Sequence, residues 1–132
     1  MNYAGVKGYI DSIGEYNACA PIAVSIATET PIDIVLKRYE YLGRKKRRTS
    51  KRWMTRQVVT ELGFRLIDVP NSYRSKTVRT LEREINNFGT YLVFTRGHIL
   101  CIKNGVVEDW TKNRCNRIIK IFGIKNGYFK NS

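Results

Sequence analysis

The chain has 132 residues, of which 42% are hydrophobic and 27% charged; this is enough for one domain with a single core and excludes an intrinsically disordered chain. Its longest apolar runs, 90–95 and 118–122, are too short to span a membrane. Residues 1–5 lack the basic and apolar stretches of a signal peptide. We therefore expect a single cytoplasmic domain over residues 1–132, with no membrane contact.

The composition also carries a strong charge imbalance. The formal net charge is +13 at pH 7, which favours polyanionic partners such as nucleic acid or an acidic protein. The three cysteines, an odd number without a secretion signal, argue against a disulfide framework and for a reducing compartment. Each cysteine is therefore a candidate for either core packing or chemistry.

Residues 1–16 show no clear periodicity, and four helices are predicted after them from apolar spacing and end signals. The second helix has the clearest ends, with Thr30 as a possible N-cap, Pro31 in the first helical position and Gly43 at the stop. The predicted helices cover about 18–28, 31–42, 50–62 and 77–88.

The last third of the chain is rich in β-prone residues. Its clearest local signal is Asn104-Gly105 between two such runs, which predicts a type I′ hairpin. Helices followed by antiparallel strands predict an α+β domain, with N-terminal helices packed on a C-terminal antiparallel sheet. The predicted strands cover about 64–69, 90–95, 98–103, 106–111 and 116–123, and 124–132 is expected to be a tail.

Cys19 lies at the start of the first predicted helix. A thiol there is close to the positive end of the helix dipole and to the free N–H groups of the first turn, and both favour the nucleophilic thiolate. The alternative is that Cys19 is a small buried hydrophobic residue, which is the commoner role of a free cysteine. The position alone does not decide between the two.

The predicted hairpin places His98, the only histidine, beside a carboxylate. In the register set by a two-residue turn, Asp109 is the diagonal neighbour of His98 on the same face, whereas Glu108 and Trp110 point the other way. A carboxylate so placed can hold an imidazole in one tautomer and stabilise its charged form. A plain Asp–His hydrogen bond that braces the hairpin is the alternative, but it does not account for Cys19.

A cysteine that opens an N-terminal helix, followed by a histidine and an acid on a C-terminal hairpin, resembles the papain-like cysteine peptidase superfamily, in particular its small bacteriophage and peptidase C39-like members. The segments that carry the resemblance, within residues 12–122, are NACAPIA at 17–23, LGF at 62–64, GTYLVFTRGHIL at 89–100 and GVVEDW at 105–110.

The resemblance implies a papain-like fold and a cysteine hydrolase, such as a peptidase or isopeptidase, that acts on a peptide or protein substrate. It places the protein in the host cytoplasm if the chain is phage-encoded. It also implies that Cys19 attacks a carbonyl carbon after losing its proton to His98, which Asp109 orients, so that a thioester forms.

The oxyanion hole is where the chain departs from the resemblance. Papain and C39 peptidases have a glutamine six residues before the nucleophile, where this chain has Ile13. Asn17, two residues before Cys19, is a candidate donor in its place and is equally a candidate helix cap. A missing donor would imply weak activity, a different substrate or a scaffold that has lost catalysis.

The densest charge lies between Lys37 and Arg56, a segment with ten lysines and arginines and one acidic residue. We expect a basic loop at about 43–52 that contacts nucleic acid or an acidic partner. A solvated loop without a partner is the alternative. The candidate contact residues are Arg44, Lys45, Lys46, Arg47, Arg48, Lys51 and Arg52.

The other two cysteines, Cys101 and Cys115, are expected to be inert, with Cys101 buried in the hairpin. No zinc-ligand spacing and no phosphate-binding glycine loop is recognisable, so neither a metal nor a cofactor is expected. Two functions remain. One is a cysteine hydrolase whose basic loop recruits an acidic substrate or nucleic acid; the other is a catalytically inactive papain-like phage accessory protein that binds nucleic acid or a host protein.

Overall fold

A computed structural model describes residues 1–70, 73–74, 76–85 and 88–127. Part of the fourth predicted helix (86–87) and most of the predicted tail (128–132) fall outside these residues. No helix in the described segments is long and apolar enough to cross a membrane. The elements are α1 (Tyr3–Ser12), α2 (Cys19–Thr28), α3 (Ile32–Tyr41), α4 (Arg52–Glu61), β1 (Phe64–Asp68), α5 (Val78–Glu84), β2 (Thr90–Thr95), β3 (His98–Lys103), β4 (Val106–Glu108) and β5 (Ile118–Asn126).

The five strands form one antiparallel sheet in the order β1-β5-β2-β3-β4. The predicted α+β class, with helices and an antiparallel sheet, is therefore confirmed. β5 runs beyond the predicted end of the last strand because it pairs with β1 as far as Phe64 opposite Asn126. Residues 124–126 thus belong to the sheet and not to a tail.

Both faces of the sheet are covered. Helices α1 to α4 pack on one face, where Val24, Leu92 and Cys101 belong to the larger core cluster. The short helix α5 covers the other face and buries Leu81 against a second cluster that includes Leu100. Since α2 is buried along nearly its whole length and packs on β3, the first residue of α2 is held close to the first residue of β3.

Helix α1 is a helix that the sequence patterns did not predict. Gly5 and Gly8 lower its helix propensity and obscure the periodicity. The remaining signals are the N-cap Asn2, whose Oδ1 accepts the Gly5 N–H at 2.9 Å, and the pair Val6 and Ile10, which is buried one turn apart.

The start of α3 also differs from the prediction. Pro31 is its N-cap and not its first helical residue, because the Pro31 carbonyl accepts the N–H of Val35. Thr30 is therefore not the cap, and its hydroxyl accepts a hydrogen bond from Thr28 instead, at 2.9 Å.

The predicted type I′ hairpin is confirmed. Asn104 and Gly105 have φ angles of 52° and 79°, both in the left-handed region that this turn requires, and Lys103 pairs with Val106. The second strand is shorter than predicted and ends at Glu108. The residues after it leave the ladder and form a turn.

Candidate active site

Cys19 is the first residue of α2, where the helix meets β3. The Ile22 N–H donates to the Ala18 carbonyl at 2.9 Å, so the helical hydrogen bonds begin there. The N–H groups of Cys19 and Ala20 precede that bond and have no acceptor within an α-helix. A negative charge that forms at Cys19 therefore lies at the positive end of a buried helix.

His98 is the first residue of β3, directly after the tight turn at Arg96 and Gly97. Its Nε2 lies 2.7 Å from Oδ2 of Asp109. The imidazole also lies beside the Cys19 thiol in the same cleft, and their interaction lowers the pKa of Cys19 and raises that of His98. Because Nε2 is engaged with Asp109, Nδ1 is the nitrogen left to face the sulfur. The structure thus brings together the three residues that the sequence singled out.

Asp109 is held in place by the turn that follows β4. Its Oδ2 accepts hydrogen bonds from the Thr111 N–H at 3.1 Å and the Thr111 hydroxyl at 2.6 Å, and Thr111 is fully buried. Asp109 therefore reaches His98 from a turn and not from the predicted strand pairing. The orientation predicted for Trp110 is wrong, because its ring centroid lies 5.2 Å from that of His98.

The pKa values of Cys19 and His98 are both shifted, in opposite directions. Burial alone would raise the pKa of the Cys19 thiol, but hydrogen bonds from His98 and the Ile99 N–H hold that pKa below the value of a free thiol. Burial alone would lower the pKa of His98, but hydrogen bonds with Asp109 and Cys19 raise it to about 9. Both shifts favour a thiolate beside an imidazolium over a neutral pair.

Asn17 lines the cleft beside Cys19, with its backbone in the left-handed region at φ 54°. Its side chain is not a helix cap, because the N-cap of α2 is Ala18, for which no side-chain capping bond forms among the described residues. One amide N–H of Asn17 donates to the Arg47 carbonyl at 3.0 Å, so the second remains as a candidate oxyanion donor. Ile13 packs against the main core and supplies no polar group.

Arg44 differs most from its predicted role. Its side chain is fully buried and pairs with Glu15 at 3.1 Å, so it cannot contact a partner. Arg44 also donates to the carbonyls of Tyr16 and Asn17. Burial alone would raise the pKa of Glu15, but the hydrogen bonds from Arg44 and from the Arg47 N–H hold that pKa below its usual value.

Arg47 also binds the turn that precedes Cys19. Its Nε donates to the Gly14 carbonyl at 2.9 Å, and its guanidinium lies 5.5 Å from the Tyr16 ring centroid. Together with Arg44 and Glu15, it fastens the basic loop to this turn. Glu15 was not predicted as a functional residue; the signal for it is a single acid close to the nucleophile in a strongly basic chain.

The other predicted cations of the loop are exposed to solvent. Arg52 stands apart from them because it begins α4 and its guanidinium lies 4.8 Å from the Phe94 ring centroid, at the wall of the cleft. The exposed set is Lys45, Lys46, Arg47, Arg48, Lys51 and Arg52.

A cleft passes on both sides of the thiol and imidazole, and Cys19, Thr49, Gly97 and His98 line both halves. We call one half the Trp110 side; its other lining residues include Tyr3, Lys7, Tyr16, Asn17, Asp109 and Trp110. We call the other half the Arg52 side; its other lining residues include Ser50, Arg52, Thr55, Phe94, Thr95 and Ile99. Cys19 and His98 therefore lie where the two halves meet.

The two remaining cysteines lie away from this cleft. Cys101 is fully buried, as predicted, and burial raises its pKa to about 12, whereas Cys115 is exposed. No group of three or more histidine, cysteine or carboxylate side chains in the described part of the chain is placed to hold a metal ion.

Fold and site define a class in structural terms: an α+β domain with a cysteine at a helix start, in one cleft with a histidine that is hydrogen-bonded to an aspartate. Comparison of the chain with protein-family models, with curated proteins and with solved structures finds no match.

Proposed function

We propose that the protein is a cysteine hydrolase of papain-like fold, which cleaves a peptide or isopeptide bond through a thioester. The observation that carries the proposal is the grouping of Cys19, His98 and Asp109 in one cleft, with Nε2 of His98 at 2.7 Å from Asp109 and Cys19 at the start of a buried helix. A plain structural Asp–His contact would not require a thiol on the other ring nitrogen, nor an open cleft around it.

The reaction follows from these positions. The Cys19 thiolate attacks the carbonyl carbon, and the charge that forms on the carbonyl oxygen faces the N–H groups of Cys19 and Ala20, with Asn17 as a further candidate donor. The imidazolium of His98 gives its proton to the leaving nitrogen as the C–N bond breaks, which leaves a thioester on Cys19. Water then attacks the thioester, His98 takes a proton from it, and the C–S bond breaks to release the acid.

The first test is the thiol reactivity of Cys19 in a Cys115→Ser background. Cys101 can stay in place because it is fully buried. We expect alkylation by iodoacetamide, followed against pH, to give an apparent pKa below about 8.5, the value for a free thiol. The His98→Ala variant should lose this shift, and Cys19→Ser should not be labelled. An ordinary pKa that His98→Ala leaves unchanged would refute the proposal.

The second test measures cleavage of peptide bonds. A library of peptides from a proteome digest is incubated with the protein and with Cys19→Ala, and new peptide termini are identified by mass spectrometry. New termini that depend on Cys19 are expected. If both proteins leave the library unchanged while the thiol is reactive, hydrolysis of these peptide bonds is excluded and the isopeptide alternative remains.

A second function, binding of a polyanion by a protein without catalysis, is favoured by one observation. Five cations of the loop, Lys45, Lys46, Arg47, Arg48 and Lys51, are exposed, and three of them, Lys46, Arg47 and Arg48, line one surface depression. Such a surface gains from contact with nucleic acid or an acidic protein because counterions are released.

A further inference from the structure

Two hydroxyl groups on the Arg52 side of the cleft are not satisfied by hydrogen bonds within the described parts of the chain. The hydroxyl oxygens of Ser50 and Thr95 are both inaccessible to solvent and lack a hydrogen-bond partner among the described residues. Thr95 is 5% exposed, yet both residues line this half of the cleft. A buried hydroxyl without a partner is costly, so a bound group that accepts from it regains a hydrogen bond.

A positive charge lies at the same place. The Arg52 guanidinium is stacked at 4.8 Å from the centroid of Phe94, which holds it at the cleft wall. No carboxylate is among the lining residues of this half, and Arg52 forms no ion pair within the described segments. The nearby Thr55 hydroxyl is different, because it is already paired with Tyr39 at 2.7 Å.

We propose that the Arg52 side binds a carboxylate of the substrate, so that the preferred substrate carries an aspartate or glutamate next to the bond that is cleaved. This inference rests on the proposed function, since it assigns a substrate class to the same cleft. A planar guanidinium matches the two oxygens of a carboxylate. The hydroxyls of Ser50 and Thr95 have no partner to lose among the described residues, so on binding a change of side-chain rotamer can turn them to donate to those oxygens. A neutral side chain of equal size, such as glutamine, offers only one oxygen and no charge.

The test uses two alkylating probes that differ only in this group, iodoacetyl-glutamate α-amide and iodoacetyl-glutamine α-amide. In each reaction the Cys19 sulfur displaces iodide, so the ratio of the two rates isolates recognition of the carboxylate from the reactivity of the thiol. In Cys115→Ser protein we expect the glutamate probe to react about tenfold faster, as is typical of a hydrogen bond to a charged group.

Arg52→Gln should bring the ratio of rates close to one. Arg56→Gln is the matched control, because Arg56 is also exposed on α4 but lies over the Phe122 ring and is not among the residues that line the cleft. Thr95→Val removes one hydroxyl with little change of shape and should lower the ratio severalfold.

The outcomes separate the two proposals. A ratio near one in the parent protein overturns the carboxylate site, and so does an equal fall in Arg52→Gln and Arg56→Gln, which would show that only the net charge acts. Rapid labelling by both probes in either case leaves the reactive thiol intact. Labelling no faster than that of a free thiol contradicts the proposed function itself, and the carboxylate site with it.

Discussion

The carboxylate of Asp109 is the group on which the proton affinity of His98 depends. One oxygen, Oδ2, accepts hydrogen bonds from His98 and from both the N–H and the hydroxyl of Thr111. Because Thr111 fixes the carboxylate, His98 is held by a charge that cannot easily turn away. The imidazole in turn faces the Cys19 thiol. The pKa of the thiol therefore depends indirectly on the hydrogen bonds between Asp109 and Thr111.

Replacing Asp109→Asn tests this dependence, because it removes the charge and keeps the size. We expect the pKa of His98 to fall from about 9 toward 6.5. A fall of one unit corresponds to about 1.4 kcal/mol of lost stabilisation of the imidazolium. Since the chain has one histidine, an NMR titration of the single imidazole measures this directly.

The control is Glu108→Gln, which removes an adjacent carboxylate that accepts the Tyr3 N–H at 2.9 Å. It should leave the pKa of His98 near 9. Because the folded pKa is raised above 6.5, the stabilisation from protonated His98 is complete below pH 6.5 and is lost as the pH rises through 9. If the pKa of His98 stays near 9 in Asp109→Asn, a group other than Asp109 raises it.

At the scale of elements, the turn before α2 and the basic loop before α4 form one unit. Oε1 of Glu15 accepts from Arg44 at 3.1 Å and from the Arg47 N–H at 2.6 Å. Arg44 also donates to the carbonyls of Tyr16 and Asn17, shortly before Cys19. A loop that the sequence suggests as a partner surface thus also fixes the backbone that leads to the nucleophile.

We expect Glu15→Gln to lower the free energy of unfolding by about 3–5 kcal/mol, because it leaves the charge of Arg44 buried without a counterion. Urea denaturation measures the change. The pKa of Glu15 is below 4.5 in the folded protein. The free energy of folding that its ionised carboxylate contributes is therefore present above pH 4.5 and is lost as the pH falls through the folded pKa.

Asp11→Asn provides the comparison, because it breaks the exposed ion pair of Asp11 with Lys7 and should cost less than about 1 kcal/mol. Equal losses in Glu15→Gln and Asp11→Asn would mean that the buried pair contributes no more than a surface pair. The buried pair would then not be what fixes the turn.

At the scale of the whole molecule, the cations of the basic loop have different environments. One cation of the basic loop is buried in the fold, one stands at the cleft wall, and the others face solvent. The surface available for a polyanion is therefore smaller than the sequence suggests, and it lies beside the mouth of the cleft, where Lys46, Arg47 and Arg48 border Asn17.

If this surface binds nucleic acid, neutralising it should change the salt dependence of binding. We expect Lys45→Gln/Lys46→Gln/Arg48→Gln to weaken binding of a fluorescent single-stranded oligonucleotide. The slope of log K against log salt should fall by about two, because each phosphate that a cation neutralises on a single strand adds roughly 0.7 to that slope. Fluorescence polarisation over a salt series measures both the affinity and the slope.

A control variant of equal charge is Arg65→Gln/Arg79→Gln/Lys125→Gln, which changes exposed residues of β1, α5 and β5. Its slope should stay close to that of the parent protein. If the slope falls equally in the two triple variants, the net charge of the whole molecule binds the oligonucleotide and the loop has no special role.

The sequence by itself determines the features that depend on near neighbours. Asn104-Gly105 specifies its turn because both residues tolerate positive φ, and apolar spacing locates α2 to α4 because it reports a buried face. The proximity of His98 and Asp109 follows from the hairpin that this turn creates, so the pair is predictable although β4 ends at Glu108, three residues before the predicted end of that strand. Helix α1 shows the limit of such signals, since two glycines weaken its pattern.

Only the tertiary structure decides which distant segments meet. Glu15 and Arg44 are far apart in the chain, and nothing in the local sequence of either indicates that one arginine among many will be buried. The same holds for Arg52 at the cleft wall and for α5 on the second face of the sheet. These contacts depend on how α2 packs on β3 and on which loop then closes over its start, and local periodicity does not encode that packing.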